Sequence, residues 1–196
     1  MAEPSIQLIG PGSAGKTTTG AALAERLGGR FVDLDAEFTS RHGSISAYLD
    51  EHGYAAYANA NVGLFEDLGG GPATPDIVAL SSGFMTYADD VHPAYPVWRW
   101  RMVSSPSTFV LLPSLQFEEC VKETVRRQLG RPFSRSAERE EQVIRARLPV
   151  YLGLPVRKVA TMRPIANVVD EVISALVSDG VVPERIVRRP SAGYPS

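Results

Sequence analysis

The chain has 196 residues, 44% of them hydrophobic and 21% charged, the composition of a soluble globular protein with one compact domain and a proper core. Its formal charge of −2 supplies no whole-molecule field to gather nucleic acid or anionic lipid, so any attraction for phosphate must be local. A single cysteine, Cys120, excludes an internal disulfide framework and a multi-thiolate zinc site, and it reads as a plain buried thiol.

The opening Met1-Ala2-Glu3-Pro4 lacks the basic start and apolar core of a signal peptide, and no apolar run approaches a membrane span, so a cytoplasmic protein is expected. Ile6, Leu8 and Ile9 form a first strand. Gly10-Pro11-Gly12-Ser13-Ala14-Gly15-Lys16-Thr17 follows, and Thr18 to Leu27 reads as a helix. Strand, Gly-rich loop and helix are the context that makes the G-x-x-x-x-G-K-[ST] pattern a phosphate-binding loop, or P-loop. Gly10, Gly12 and Gly15 let successive N–H groups face a bound anion, with the positive end of the helix behind them. Lys16 then reaches the β- and γ-phosphates, and the Thr17 hydroxyl can ligate Mg²⁺.

Gly28-Gly29 ends the helix, and residues 30–35 read as a second strand. Asp33 and Asp35 are two apart, so on an extended chain they point the same way, toward the crevice at the strand's C-terminal end. One carboxylate can hold a water of the Mg²⁺ shell, and the other can orient or deprotonate an acceptor hydroxyl. The alternative is that Asp35 merely caps the next helix, which Asp35-Ala36-Glu37-Phe38 also fits.

Residues 44–50 and 53–68 read as helices, 77–80 as a strand buried on both faces, and 81–84 as a tight turn toward the crevice. Residues 87–102 read as helix and loop, with Trp98 and Trp100 assigned to packing. A strand over 108–113, a helix over 117–129 and a breaker-rich loop over 130–136 come next. Arg126, Arg127, Arg131 and Arg135 crowd this loop, which either closes over bound nucleotide or is a merely solvated basic patch. A helix over 138–147, a short strand over 156–161 and an amphipathic helix over 165–176 complete an alternation that implies a parallel sheet flanked by helices. The expected fold is a three-layer α/β P-loop NTPase domain over residues 1–180, with substrate-binding helices over about 36–68, a mobile lid over about 126–140 and a tail over 181–196.

Taken in order, these motifs resemble those of the shikimate kinases and their small P-loop kinase relatives, over roughly residues 5–177. Phe31-Val32-Asp33-Leu34-Asp35-Ala36-Glu37 stands where that family has its D-x-D strand end. Arg131-Pro132 stands at the lid signature, and Arg147-Leu148-Pro149-Val150-Tyr151 at the family's R-x-P-x-Y. The resemblance implies that Thr17 and Asp33 serve Mg²⁺ and that Asp35 meets the acceptor hydroxyl. It also implies that Arg131 and one of Arg126 or Arg127 contact ATP from the lid, while Arg147 holds an anionic group of the substrate.

Several departures accompany the matches. Where the family has Phe-Arg and a later Glu, this chain has Tyr57-Ala58 and Asn61. Where the family has a triple glycine after the third strand, it has Ser82-Gly83-Phe84, so that side chains are expected to occupy space used by substrate. The stretch after Thr161 is also shorter than the family's adenine loop. Arg99 or Arg101 could supply the missing arginine.

The expectation is a monomeric, Mg²⁺-dependent kinase that moves the γ-phosphoryl of ATP to a hydroxyl of a small polar metabolite, shikimate or a related compound. ATP would rest on Gly12, Ser13, Ala14, Gly15, Lys16, Thr17, Thr18 and Arg127, catalysis on Lys16, Asp35 and Arg131, and the substrate on Asp35, Gly83 and Arg147. Two alternatives stay open: a nucleotide-binding regulator without an acceptor, and a nucleoside or nucleotide kinase whose tryptophans and Phe84 stack a base. Nucleic-acid binding fits poorly, because the basic residues are confined to one short loop.

Overall fold

The computed structural model describes residues 6–69, 77–130 and 136–183. Five strands form one sheet in the order β2-β3-β1-β4-β5. They are β1 (Ile6–Ile9), β2 (Phe31–Asp33), β3 (Ile77–Ala79), β4 (Thr108–Leu112) and β5 (Arg157–Ala160), and every neighbouring pair is parallel. Helices α1 (Lys16–Leu27), α2 (Leu34–His42), α3 (Ile45–Gly69), α4 (Tyr95–Val103), α5 (Phe117–Leu129), α6 (Ala137–Gly153) and α7 (Ile165–Ser178) connect and flank them. This is the expected parallel sheet between helical layers.

Side chains of the central strands alternate between two cores. Ile6 and Leu8 of β1, Ile77 of β3, and Phe109 and Leu111 of β4 join Leu23 of α1 and the apolar face of α7. Ile9, Val78, Val110 and Leu112 point the other way, onto Phe38 of α2, Tyr57 and Phe65 of α3, Tyr95 of α4, and Leu148 and Tyr151 of α6. A strand buried on both faces has no polar position to spare, which is why β4 is apolar along nearly its whole length. Because β1 lies between β3 and β4, the chain leaving β1 enters the crevice where connections diverge to opposite faces of the sheet.

Some boundaries differ from the sequence reading. β2 ends at Asp33, and α2 begins at once with Asp33 as its N-cap. Asp35 is therefore neither on the strand nor the cap; it belongs to the first turn of α2. α3 is broken at Gly53 (φ 80°, ψ 170°), which separates the two expected helices and sets Tyr54 at the start of the second. Residues 87–94 form turns, and the helix of that region starts only at Tyr95.

α6 runs six residues past Arg147, with Pro149 inside it, so Arg147 and Tyr151 stack one turn apart on the same face. The stretch expected to form the lid starts in the last turn of α5 and ends in the first turn of α6; its middle, including Arg131 and Arg135, lies outside the described residues. Val181 and Val182 pack against the α1/α7 core, so the domain's packing extends past residue 180. Among the described residues no helix is long and apolar enough to cross a membrane.

α1 crosses β2 so closely that a Cβ built on Gly20 would lie 2.2 Å from the Phe31 ring, whereas one on Gly63 of α3 would meet only His92 Nε2 at 3.8 Å. Helix propensity alone favours alanine at both positions by up to about 1 kcal/mol. We expect Gly20→Ala to destabilise by about 1–3 kcal/mol through overpacking and Gly63→Ala to stabilise by about 0.5–1 kcal/mol. Opposite shifts in thermal unfolding midpoint would bear this out; equal shifts would contradict the packing.

Candidate active site

The loop after β1 is shaped by backbone contacts. Gly10 has φ 144°, and a Cβ there would lie 2.2 Å from the Leu111 carbonyl oxygen, so only glycine lets the loop turn beside β4. Ser13, at φ 58°, is the one non-glycine residue with positive φ among the described residues. Gly15 (φ 92°) caps α1 without a side-chain hydrogen bond, which leaves the first N–H groups of the helix to an anion. Lys16 Nζ bonds the carbonyls of Gly10 at 2.9 Å and Pro11 at 2.8 Å, so the ammonium lies across the loop. A cleft of about 330 Å³ is lined by Gly12, Ser13, Ala14, Gly15, Lys16, Thr17 and Thr18, together with Asp33, Asp35, Ser82, Arg127 and Gln128.

Asp33 does two things at once. Its Oδ1 accepts from the backbone N–H of Asp35 at 3.0 Å and of Ala36 at 3.3 Å, fixing the start of α2. Its Oδ2 accepts from Thr17 Oγ1 at 2.5 Å. Two hard oxygen donors side by side at the P-loop suit Mg²⁺, which binds through one or two protein oxygens while phosphate oxygens and waters complete its shell.

On the opposite wall, α5 presents Arg127 and Gln128. Arg127 donates to the Ser13 carbonyl at 3.3 Å and to Thr161 Oγ1 at 3.4 Å, and Thr161 in turn donates to the Ala14 carbonyl at 2.9 Å. Glu123 holds Arg126 and Arg127 together at 2.7 Å each. Of the two arginines, Arg127 lines the P-loop cleft, while Arg126 stays exposed. The hydrogen bonds from Arg126 and then Arg127 hold the Glu123 carboxyl down at about 2. Ser13 Oγ donates to Gln128 Oε1 at 2.7 Å, and a Cβ on Gly12 would strike the same amide.

A second cleft, of about 660 Å³, adjoins the first and shares Gly12, Asp35, Ser82 and Gln128 with it. Its further walls include Tyr54, Tyr57, Gly83, Ile144 and Arg147. Asp35 thus borders both spaces. Its Oδ1 accepts from Ser81 Oγ at 2.5 Å and Tyr57 OH at 3.4 Å. Burial, reinforced by the charge on Asp35, pushes the Tyr57 hydroxyl well above its ordinary value, so it stays a neutral donor.

Arg147 donates to the Tyr54 hydroxyl at 3.1 Å and to Ser82 Oγ at 3.4 Å, and Tyr151, one turn on, donates to the Ser82 carbonyl at 2.8 Å. The R-x-P-x-Y spacing therefore grips the loop after β3 with two residues. A Cβ on Gly83 would lie 2.6 Å from the Tyr54 hydroxyl and 3.3 Å from Arg147, so that glycine makes room for the Arg147–Tyr54 pair.

Ala58 is 1% exposed, inside the core rather than at the cleft. Arg99 lines a third space of about 620 Å³, which shares Tyr54 and Arg147 with the second cleft, and it lies 3.7 Å from Asp89. Arg101 instead stacks on Trp98, 5.0 Å from the ring centre. Trp98 packs edge-on against Phe65, Trp100 is 66% exposed on α4, and Phe84 is fully buried. None of these three rings lines either cleft, which removes the base-stacking role.

Sequence reasoning missed Gln128, Thr161, Tyr54 and Ser81. The first two reach the P-loop from positions more than a hundred residues away in the chain. Ser81 could have been suspected, being a polar residue at the end of an apolar strand.

The family model for shikimate kinase matches residues 12–177. A shikimate kinase of Paramagnetospirillum magneticum is 32% identical over 151 residues, covering 75% of this chain and 71% of that protein. One of Psychrobacter arcticus is 37% identical over 81 residues, covering 41% of this chain and 42% of the other. Among solved structures, shikimate kinase from Acinetobacter baumannii in complex with shikimate superposes with a TM-score of 0.69 at 23% identity, covering 91% of this chain and 95% of that one. Shikimate kinase from Aquifex aeolicus gives 0.65 at 21% identity, with 91% and 99% covered. At such identities these two likenesses speak for the fold.

Because Glu123 sits at about 2 in the folded chain against an ordinary 4.5, its contribution to stability is complete above 4.5 and is lost as pH falls toward 2. Glu123→Gln should therefore be less stable than the parent chain at neutral pH, and the gap should close as pH falls through that window. Urea unfolding across the range measures it, and a gap independent of pH would contradict the assignment.

Proposed function

The chain belongs to the shikimate kinase family, and from that premise we propose that it transfers the γ-phosphoryl of ATP, with Mg²⁺, to a hydroxyl of a small hydroxylated carboxylic acid such as shikimate. The single observation that carries the reading is Asp35 on the shared wall of the two clefts. A group there can touch both a hydroxyl in the larger space and the terminal phosphate in the smaller one.

The triphosphate is received by the N–H groups of residues 12–18, with Lys16 leaving the loop carbonyls for the β- and γ-phosphate oxygens. Thr17 and Asp33 would hold Mg²⁺, which would supply neutralisation of charge on the phosphate oxygens. Asp35 accepts the proton of the acceptor hydroxyl as its oxygen moves onto phosphorus. Arg127, clamped by Glu123, adds positive charge from the α5 side, and Arg131 is proposed to do so from the lid.

On the acceptor side, Arg147 has only neutral hydrogen-bond partners among the described residues, the hydroxyls of Tyr54 and Ser82. A guanidinium compensated by hydroxyls alone is ready for an anion, which supports a carboxylate on the acceptor. Arg99 lies one cleft further out and is the second cation available to that group, in place of the arginine that Ala58 replaces.

Asp35→Asn is expected to lower kcat by about 10²–10⁴-fold while ATP affinity stays within about threefold. Full turnover in that variant would remove Asp35 from the mechanism. Arg147→Ala is expected to raise KM for an anionic acceptor by about tenfold or more, and an unchanged KM would move the anion elsewhere. Both are read from ADP release against acceptor concentration.

A further inference from the structure

Asp35 stands at the end of a line of polar side chains buried in otherwise apolar surroundings. Asn61 is 0% and Ser81 2% exposed, amid Tyr57, Phe65 and Phe84. Tyr87 OH lies 3.1 Å from Asn61 Oδ1, Asn61 Nδ2 lies 3.0 Å from Ser81 Oγ, and Ser81 Oγ lies 2.5 Å from Asp35 Oδ1.

The directions of these bonds follow from the carboxylate outward. Two oxygens 2.5 Å apart need a proton between them. An ionised carboxylate has none, so the proton is that of Ser81. Ser81 Oγ then has only acceptor capacity left, which obliges Asn61 to turn its NH₂ toward it and its carbonyl oxygen toward Tyr87. The Tyr87 hydroxyl must therefore donate, and burial raises it well above its ordinary value of 10.0, so that it keeps its proton. A flipped Asn61 amide would leave Ser81 with two acceptors competing for one proton.

We propose that Ser81 and Asn61 are positioning residues for phosphoryl transfer: they commit Asp35 Oδ1 to the protein and leave Oδ2 to receive the acceptor hydroxyl. Oδ2 has no hydrogen-bond partner among the described residues, whereas Oδ1 has two hydroxyl donors, Ser81 and Tyr57. A carboxylate held by one oxygen cannot rotate away from the line between acceptor and phosphate, and transfer depends steeply on that alignment. The inference rests on the kinase reading, which gives Asp35 its role.

The test combines kinetics with a readout that needs no acceptor. Ser81→Ala is expected to lower kcat about tenfold or more, with KM for ATP within about twofold, because a hydrogen bond to a charged group is lost. Ser81→Thr keeps the hydroxyl and should restore most of the rate. Asn61→Leu should lower kcat less, and the Ser81→Ala/Asn61→Leu double variant should be no slower than Ser81→Ala, since Asn61 acts through a hydroxyl that is already gone.

In proton NMR of the wild-type chain, the buried Ser81 hydroxyl should give a downfield, slowly exchanging resonance that is absent in Ser81→Ala and moves upfield in Asp35→Asn. Wild-type kcat in Ser81→Ala, additive losses in the double variant, or a hydroxyl resonance indifferent to Asp35→Asn would each overturn the proposal. A wild-type chain that turns over no acceptor would overturn the kinase reading and with it the role, while the resonance still reports whether the bond exists.

Discussion

Gly10 passes the Leu111 carbonyl at a distance that admits no Cβ, and the site is built outward from that contact. The close passage turns the chain off β1 beside β4 and lets residues 11–15 curl into a loop whose N–H groups belong to the start of α1. The same turn places Thr17 where its hydroxyl reaches Asp33. Asp33 then caps α2, and the cap fixes which way the first turn of α2 carries Asp35. A single steric constraint between the P-loop and β4 is thus transmitted through one hydroxyl–carboxylate bond and one helix cap to Asp35 on the wall between the two clefts.

The two sides of the site are held in different ways. Around the P-loop cleft the available groups are backbone and charge: loop N–H groups, Lys16, and Arg127 clamped by Glu123. Around the larger cleft neutral hydroxyls, Tyr54, Tyr57 and Ser82, stand beside the charged Asp35, Glu140 and Arg147, with Ser81 and Tyr87 behind them. Losing one charge-assisted contact to a carboxylate costs about 1.5–3 kcal/mol of binding, so in the proposed reading the hold on an anionic acceptor rests on Arg147 in the larger cleft, with Arg99 one space further out. Fixed hydroxyls around Asp35 act on orientation rather than on affinity.

Much of this was legible in the sequence where local chemistry decides it. The P-loop pattern, the apolar strands and Gly28 as a C-cap each depend on a few neighbouring residues, and each lies where the sequence reading has it, whereas the break in α3 falls on Gly53, which that reading makes the first residue of the second helix. Strand-face alternation put Asp35 on the wrong element, because the capping bond at Asp33 ends the strand two residues early and gives the second carboxylate to a helix, although both carboxylates do face the P-loop cleft. The contacts from Gln128 and Thr161 to the P-loop, and the line from Tyr87 through Asn61 and Ser81 to Asp35, depend on tertiary packing that no local pattern encodes. Asn61 looked like a lost acidic residue; in the fold it is a buried amide whose orientation is set by Ser81 on one side and which accepts from Tyr87 on the other.

The most direct measurement is ADP release from the wild-type chain with ATP and Mg²⁺, in the presence and absence of shikimate, beside Lys16→Ala. Shikimate-stimulated release is expected in the wild-type chain and its loss in the variant, because the proposed mechanism needs Lys16 to leave the loop carbonyls for the phosphates. Tight ATP binding with no stimulation by shikimate or any other hydroxylated carboxylate would contradict it.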